Sequence, residues 1–279
     1  MDIYVYNEFS SKYTNILNDK IIKELNSVYN NLIIYDLCEF QEHYSKLEIE
    51  HLIISGGDGT LHNVVNLVKD HLDKIIIGYI PTGTANDFGN SYGIKNIDQA
   101  LNIIKSKNIQ EISIMKLDDT LVLYGVSIGK MSEVSLKTKK KSKKLFGKLI
   151  YKIKGIKYLF CKKSFVKVMI ENQVFNYNVK ALLAVNTKYL GGVKVNTKLS
   201  KEKISVLPIK NIFDLIKIFI FGRFKKIKST NAREIILESE NIWCVDGEKI
   251  DVKKAKLSYN QNKIRLLSKN TWQSFFIVV

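Results

Sequence analysis

The sequence predicts an α/β domain with a doubly wound, mostly parallel sheet over residues 1–110, followed by a mainly antiparallel β-sandwich domain over residues 111–279. Three observations predict this. In the first 110 residues, apolar runs of strand length alternate with segments of helical periodicity. Two of those runs end in loops of small residues that open straight onto a helix. Beyond about residue 110 the apolar runs stay short, with polar turns and little helix between them.

In chain order, Ile3-Tyr4-Val5-Tyr6 is a first strand, ending in Asn7-Glu8-Phe9-Ser10-Ser11-Lys12. Residues 16–29 form a helix with Ile21, Leu25 and Val28 on one face, and residues 32–35 a second strand. Leu52-Ile53-Ile54-Ser55 runs into Gly56-Gly57-Asp58-Gly59-Thr60, and Leu61, Val64, Val65 and Val68 then share one helical face. A strand over residues 75–80 runs into Pro81-Thr82-Gly83-Thr84-Ala85-Asn86-Asp87-Phe88, and a helix follows over 97–105 with Ala100, Leu101 and Ile104 inward. In the second domain, strand-like runs fall at 112–115, 121–128, 165–170, 174–185, 193–195 and 204–207, with 263–267 and 274–279 closing the chain.

A strand, a tight glycine turn and a helix together bare backbone N–H groups at a helix N-terminus. The dipole there favours an anion, and the missing Cβ atoms let a phosphate come close. Gly-Gly-Asp-Gly alone is equally well an ordinary turn. The second loop tips the balance, because two such loops after neighbouring strands would share the crevice at the carboxyl edge of a parallel sheet, where ligands of α/β folds bind. Asp58 would repel a lone phosphate, so it fits best beside a divalent cation or a proton-transfer network. No G-x-x-x-x-G-K-[ST] loop is present, and no H-R-D motif precedes Asp87-Phe88-Gly89.

Composition is that of a globular protein, 46% hydrophobic and 25% charged. Cys38, Cys161 and Cys244 lie far apart without C-x-x-C spacing, which points to a reducing, cytoplasmic setting. No signal-peptide pattern opens the chain, and the apolar stretch 212–221 is too short and too charged to span a bilayer. The net charge of +17 is segregated: thirteen lysines and no acid lie between Glu133 and Glu171, and a second acid-free stretch covers residues 215–233. Such segregation suggests a polyanionic partner. Residues 145–160 place Leu145, Leu149, Ile153, Ile156 and Phe160 on one face of a helix, beside Lys144, Lys148 and Lys152, giving a basic helix at about 144–160. Packing against a core with a solvated lysine face and docking on an anionic membrane carry about equal weight, the candidate membrane residues being Lys139, Lys140, Lys141, Lys143, Lys144, Lys148 and Lys152. No RNP-type aromatic motif or helix-turn-helix pattern supports nucleic acid.

The pair GGDGT-L (Gly56 to Leu61) and P-x-GT-x-NDF (Pro81 to Phe88) resembles the nucleotide-site signature of the diacylglycerol kinase-like lipid kinases, a fold shared with NAD kinases. The resemblance implies ATP and Mg²⁺ as cofactors and phosphoryl transfer to a lipid hydroxyl, foremost diacylglycerol to phosphatidic acid. A divergent, weakly active or non-catalytic nucleotide-binding relative acting at anionic membranes and an NAD kinase-like enzyme are the alternatives, and the sequence does not identify the acceptor. It also implies nucleotide binding by Asn7, Ser10, Gly56, Gly57, Asp58, Gly59, Thr60, Gly83, Thr84, Asn86 and Asp87, with Asp58 organising Mg²⁺. The late Asp246-Gly247-Glu248 matches the family's D-G-E, implying Asp246 as general base and Glu248 as a supporting carboxylate; by itself this tripeptide reads as a hairpin turn. A peripheral position at the inner face of the membrane, a tail returning to the first domain and a possible homodimer complete the expectation. The chain departs from the family pattern at three places. Ser113 stands where an Asp is usual, Ser200-Lys201-Glu202-Lys203 replaces the D-D-G turn of a structural Mg²⁺ site, and Asn63 follows His62 where an acid is frequent.

Overall fold

The computed structural model describes residues 1–129, 162–194, 202–211, 213–214 and 230–269. The basic helix expected at 144–160, the seven candidate membrane lysines, Cys161, Ser200 and Lys201, the apolar stretch 212–221 apart from Phe213 and Asp214, and the closing strand 274–279 lie outside these residues. The chain divides into two compact units: Met1–Ile112 together with the described residues from Asn262 on, and Ser113–Gln261.

The first unit contains β1 (Asp2–Tyr6), α1 (Asn15–Asn26), β2 (Leu32–Asp36), α2 (Leu37–His43), β3 (His51–Gly56), α3 (Asp58–Leu67), β4 (Ile76–Pro81), α4 (Asp87–Ser91) and α5 (Ile97–Ser106). Its sheet runs β2-β1-β3-β4 with every pair parallel. Leu52, Ile53 and Ile54 are fully buried, as expected of strands covered on both faces. Three of these helices have side-chain N-caps: Thr14 accepts from Leu17 N in α1, Asp36 from Cys38 N and Glu39 N in α2, and Asn96 from Gln99 N in α5. Helix α1 ends at Asn26 rather than running to Tyr29, because the Val28 and Tyr29 N–H groups both turn back to Leu25 O. Helix α2 was not expected. Its signal is a capping box, in which Asp36 accepts from Cys38 N and Glu39 N while Glu39 accepts from Asp36 N.

Strand order 2-1-3-4 reverses direction between β1 and β3. The loops leaving β1, β3 and β4 therefore open at a topological switch point, where doubly wound sheets bind ligands.

Between the units in sequence comes β5 (Ile109–Leu117). The second unit then holds β6 (Thr120–Val122), β7 (Gly125–Ile128), β8 (Ser164–Ile170), β9 (Gln173–Val179), β10 (Ala181–Val185), β11 (Tyr189–Leu190), β12 (Val193–Lys194), β13 (Ile204–Ile209), β14 (Thr230–Ala232), β15 (Glu234–Glu238), β16 (Trp243–Val245) and β17 (Glu248–Ile250). The last strand, β18 (Lys254–Leu267), pairs antiparallel with β15 through residues 254–258 and parallel with β4 through Arg265 and Leu266. One antiparallel layer of the second unit is β14-β13-β10-β7-β16-β17; β15, β8 and β9 continue the other from β18. The layers share one core: Val126, Leu182, Val206 and Trp243 from the first, Val166, Val168, Leu237 and Leu257 from the second. Sharing of this kind defines a sandwich.

Two expected strands prove to be broken. The run 121–128 splits into β6 and β7, because the N–H groups of Leu123, Tyr124 and Gly125 are directed at the Asp246 carboxylate. The run 174–185 splits into β9 and β10, which pair with different layers. Among the described residues no helix is long and apolar enough to cross a membrane.

Candidate active site

Three loops of the first unit converge at the carboxyl ends of β1, β3 and β4. The closest approach is between glycines. A Cβ on Gly83 would overlap the Cα of Gly57, and one on Gly57 would lie 3.3 Å from the Cα of Gly83. A Cβ on Gly56 would collide with the Thr60 side chain. Only residues without a side chain allow the two turns to meet backbone to backbone. Thr82 N donates to Gly56 O (3.0 Å), which fastens them together.

Polar contacts extend this link. Asp58, the first residue of α3, accepts from Phe88 N through Oδ1 (3.0 Å), so the acid of one loop caps the helix leaving the other. Tyr79, fully buried on β4, donates to Gly56 O (3.2 Å) and Asn86 Oδ1 (3.3 Å). Burial first, and then the charges of Asp58 and Asp87, push its phenol well above its ordinary pKa, so it stays a donor. Asn86 is in the left-handed region (φ 52°), and its amide donates to Gly83 O at 2.9 Å. The β1 loop joins in: Asn7 Nδ2 donates to Thr60 Oγ1 (2.7 Å), Asn7 Oδ1 accepts from Phe9 N (2.9 Å) and Lys12 N donates to Thr82 O (3.0 Å).

Within this frame the side-chain hydroxyls of Ser10 and Thr82 are buried and have no hydrogen-bond partner among the described residues. Leaving such groups unsatisfied costs about 1–3 kcal/mol each, and orphaned hydroxyls at a cluster of loop amides suit a ligand rich in acceptor oxygens. The expected residues Asn7, Ser10, Gly56, Gly57, Asp58, Gly59, Thr60, Gly83, Thr84, Asn86 and Asp87 all belong to these three loops and the first turns of the helices they lead into. Thr60 and Asn86 are engaged in holding the loops. Sequence reasoning missed Tyr79 and Thr82. Tyr79 sits in an apolar run and reads there as core, whereas the Thr82 hydroxyl was visible in the loop itself. His62 is buried on α3, as expected of a packing residue.

Asp246 and Glu248 belong to the second unit. Asp246-Gly247 is the turn of the β16–β17 hairpin, both residues at positive φ (48° and 94°), the geometry of a two-residue type I′ connection. Asp246 is buried. Its Oδ2 accepts from Leu123 N (2.6 Å) and its Oδ1 from Tyr124 N (2.9 Å) and Gly125 N (3.0 Å), while its own N–H donates to Gly125 O. The carboxylate thus clamps the corner between β6 and β7. Glu248 is exposed on β17. Where the family pattern has an acid, Ser113 donates to Glu202 Oε1 (3.2 Å).

In doubly wound α/β folds, glycine loops at the switch point are where phosphate-bearing ligands bind. Residues 4–117 match the diacylglycerol kinase catalytic domain family. The chain is 33% identical over 147 residues to a diacylglycerol kinase of Staphylococcus carnosus, covering 52% of this chain and 48% of that one. It is 29% identical over 197 residues to a diacylglycerol kinase of Staphylococcus epidermidis, covering 67% and 62%. The chain therefore spans about half to three fifths of the length of these curated relatives. A crystal structure of a diacylglycerol kinase from Bacillus anthracis shares the fold, with a TM-score of 0.74 at 20% identity over 96% of this chain and 97% of that one.

Two substitutions test this geometry by denaturant unfolding. Gly83→Ala forces the loops apart and is expected to lower stability by about 1–3 kcal/mol, the usual range for overpacking. Asp246→Asn leaves one oxygen for three amide donors and is expected to lower stability by about 1–3 kcal/mol. An unchanged midpoint in either variant would contradict the contact concerned.

Proposed function

We propose that this protein is an ATP-dependent lipid kinase that transfers the γ-phosphoryl group to a lipid hydroxyl, with diacylglycerol as acceptor and phosphatidic acid as product. The observation that carries the reading is the glycine-to-glycine contact of two loops with the orphaned Ser10 and Thr82 hydroxyls beside it. Phosphoryl transfer has a loose, highly charged transition state, so positioning and charge neutralisation supply most of the catalysis. In this reading loop amides at Gly56, Gly57 and Gly83, with the Ser10 and Thr82 hydroxyls, hold the phosphates.

Mg²⁺ fits the donor set, since it takes one or two carboxylates and completes its shell with phosphate oxygens and water. Asp58 and Asp87 are the acids at the β3 and β4 loops, and both act on the Tyr79 phenol. When bound, the ion would neutralise charge on the phosphates. Asp246 is the base we assign to the acceptor hydroxyl, following the family motif. Its three amide bonds suit an acid held in fixed orientation, and they equally suit a purely structural one. Loss of activity in Asp246→Asn therefore counts for catalysis only if the folded fraction is measured alongside it.

With γ-labelled ATP, Mg²⁺ and diacylglycerol in mixed micelles, label is expected in a chloroform-soluble phospholipid, and Asp58→Asn is expected to lower kcat by about 100-fold. Label appearing in a water-soluble dinucleotide instead would establish the NAD kinase-like alternative, and no labelled acceptor at all would overturn kinase activity.

We also propose that the lysines from Lys139 to Lys152 hold the enzyme on anionic lipid, each contributing about 1 kcal/mol near the surface. Sedimentation with phosphatidylglycerol vesicles should then fall steeply with added salt, and replacing Lys139, Lys140, Lys141, Lys143 and Lys144 by Gln should abolish it. Binding that is insensitive to both changes would exclude this role.

A further inference from the structure

At the opposite end of β1 and β3 from the phosphate loops, about 16 Å away along strands that rise ~3.3 Å per residue, a second cluster of polar groups has no part in the reading above. Asp2 and His51 are directly paired in the parallel ladder, and Asp2 Oδ1 lies 2.7 Å from His51 Nδ1. Glu50 completes a group whose ligand atoms all lie within 4.8 Å of one another. Neither carboxylate is paired with a Lys or Arg among the described residues.

The backbone beneath the cluster is held from both sides. Met1 O accepts from Glu50 N (2.9 Å) and His51 N (3.3 Å), and Glu50 O accepts from Ile76 N at 2.8 Å. The three side chains therefore project from a fixed platform.

An independent observation points to a ligand there. Tyr29 is 3% exposed, and its hydroxyl has no hydrogen-bond partner among the described residues. Its ring lies 5.2 Å from the His51 imidazole, centroid to centroid. The Asp2 and Glu50 charges both act on the phenol and, after burial, help push its pKa up to about 12. The cation already nearby, the Lys107 ammonium, lies over the Tyr29 ring, 5.5 Å from its centroid. A buried hydroxyl without a partner among the described residues thus belongs to the side chain whose ring packs beside the His51 imidazole.

We propose that Asp2, Glu50 and His51 form a binding site for a first-row divalent cation of the Zn²⁺ type, distinct from the Mg²⁺ of the phosphate loops. One imidazole nitrogen with two carboxylates is a mixed N/O set. Such a set suits Zn²⁺ and its neighbours, whereas Mg²⁺ and Ca²⁺ favour oxygen alone. Tetrahedral bonds of about 2.0–2.1 Å place ligand atoms roughly 3.3 Å apart. The Asp2–His51 pair need open by only a few tenths of an ångström from 2.7 Å, and Glu50 closes in by a side-chain rotation. The ion would tie the head of β1 to that of β3 and to the Tyr29 turn after α1.

The test uses the untagged full chain, stripped with chelator and titrated with ZnCl₂ by calorimetry in the absence of nucleotide. One saturable site is expected, retained in Asp58→Asn and weakened by more than about 10-fold in Asp2→Asn and His51→Gln, since even an outer-shell partner accounts for 10–100-fold. Co²⁺ in place of Zn²⁺ should give a ligand-field absorption that His51→Gln removes. Should that variant not fold, the imidazole NMR resonances of the wild-type protein give the same answer: those of His51 should shift on adding Zn²⁺. Equal Zn²⁺ affinity in wild type and His51→Gln would overturn the site. So would shifts confined to His43, His62 or His71.

Discussion

The first unit depends on two polypeptide turns approaching closer than any side chain would permit. Gly57 and Gly83 face one another across the ends of β3 and β4, and the remaining polar contacts in this region act to keep them there. Tyr79 reaches up from within β4 to hold Gly56 and Asn86, Asp58 reaches across to the first turn of α4, and Asn7 brings the β1 loop in through Thr60. The result is a set of backbone amides fixed before any ligand arrives. Pre-organisation of this kind is what stabilising a charged transition state requires, because no reorganisation is left to be done when the charge develops. Several residues whose chemistry suggests direct contact with a nucleotide thus have a prior duty in holding the loops.

Asp246 raises the same question in the second unit. A buried carboxylate with three amide donors is satisfied within its own fold, and the corner between β6 and β7 exists because those amides leave the ladder to reach it. Charge-assisted bonds of 2.6–3.0 Å fix the orientation of the acid. The motif that reads as catalytic by resemblance and as a hairpin by local propensity is, in the structure, a type I′ turn whose first residue carries an anchored carboxylate. Two of the three departures from the family pattern fall in the Ser113–Gln261 range as well. At Ser113 a hydroxyl–carboxylate contact with Glu202 stands where the pattern leads one to expect an acid.

The order of strands and helices in the first unit was legible because burial on two faces demands continuous apolar runs, and Leu52–Ile54 and Ile75–Ile77 are such runs. Helix α2 was not read, although Asp36 and Glu39 carry its capping box, because its seven residues are too few to show periodicity. The second unit was less readable. An apolar run says nothing about where its hydrogen bonds go, so 121–128 and 174–185 looked continuous although each is divided. Strands β14 and β15 carry too few alternating residues to stand out from their polar surroundings.

What the sequence determined by itself was the chemistry available: glycines where backbones must touch, hydroxyls and acids in the same loops, and a segregated positive charge. Spacing along a chain is enough for these, because strand-to-helix junctions are local. Only the tertiary structure decided which groups are already spent and which remain unsatisfied. Thr60 and Asn86 are committed to holding loops, whereas the hydroxyls of Ser10, Thr82 and Tyr29 are buried without a partner among the described residues. The physical reason is that hydrogen bonds between residues as far apart as Asn7 and Thr60, or Leu123 and Asp246, are set by packing rather than by sequence separation.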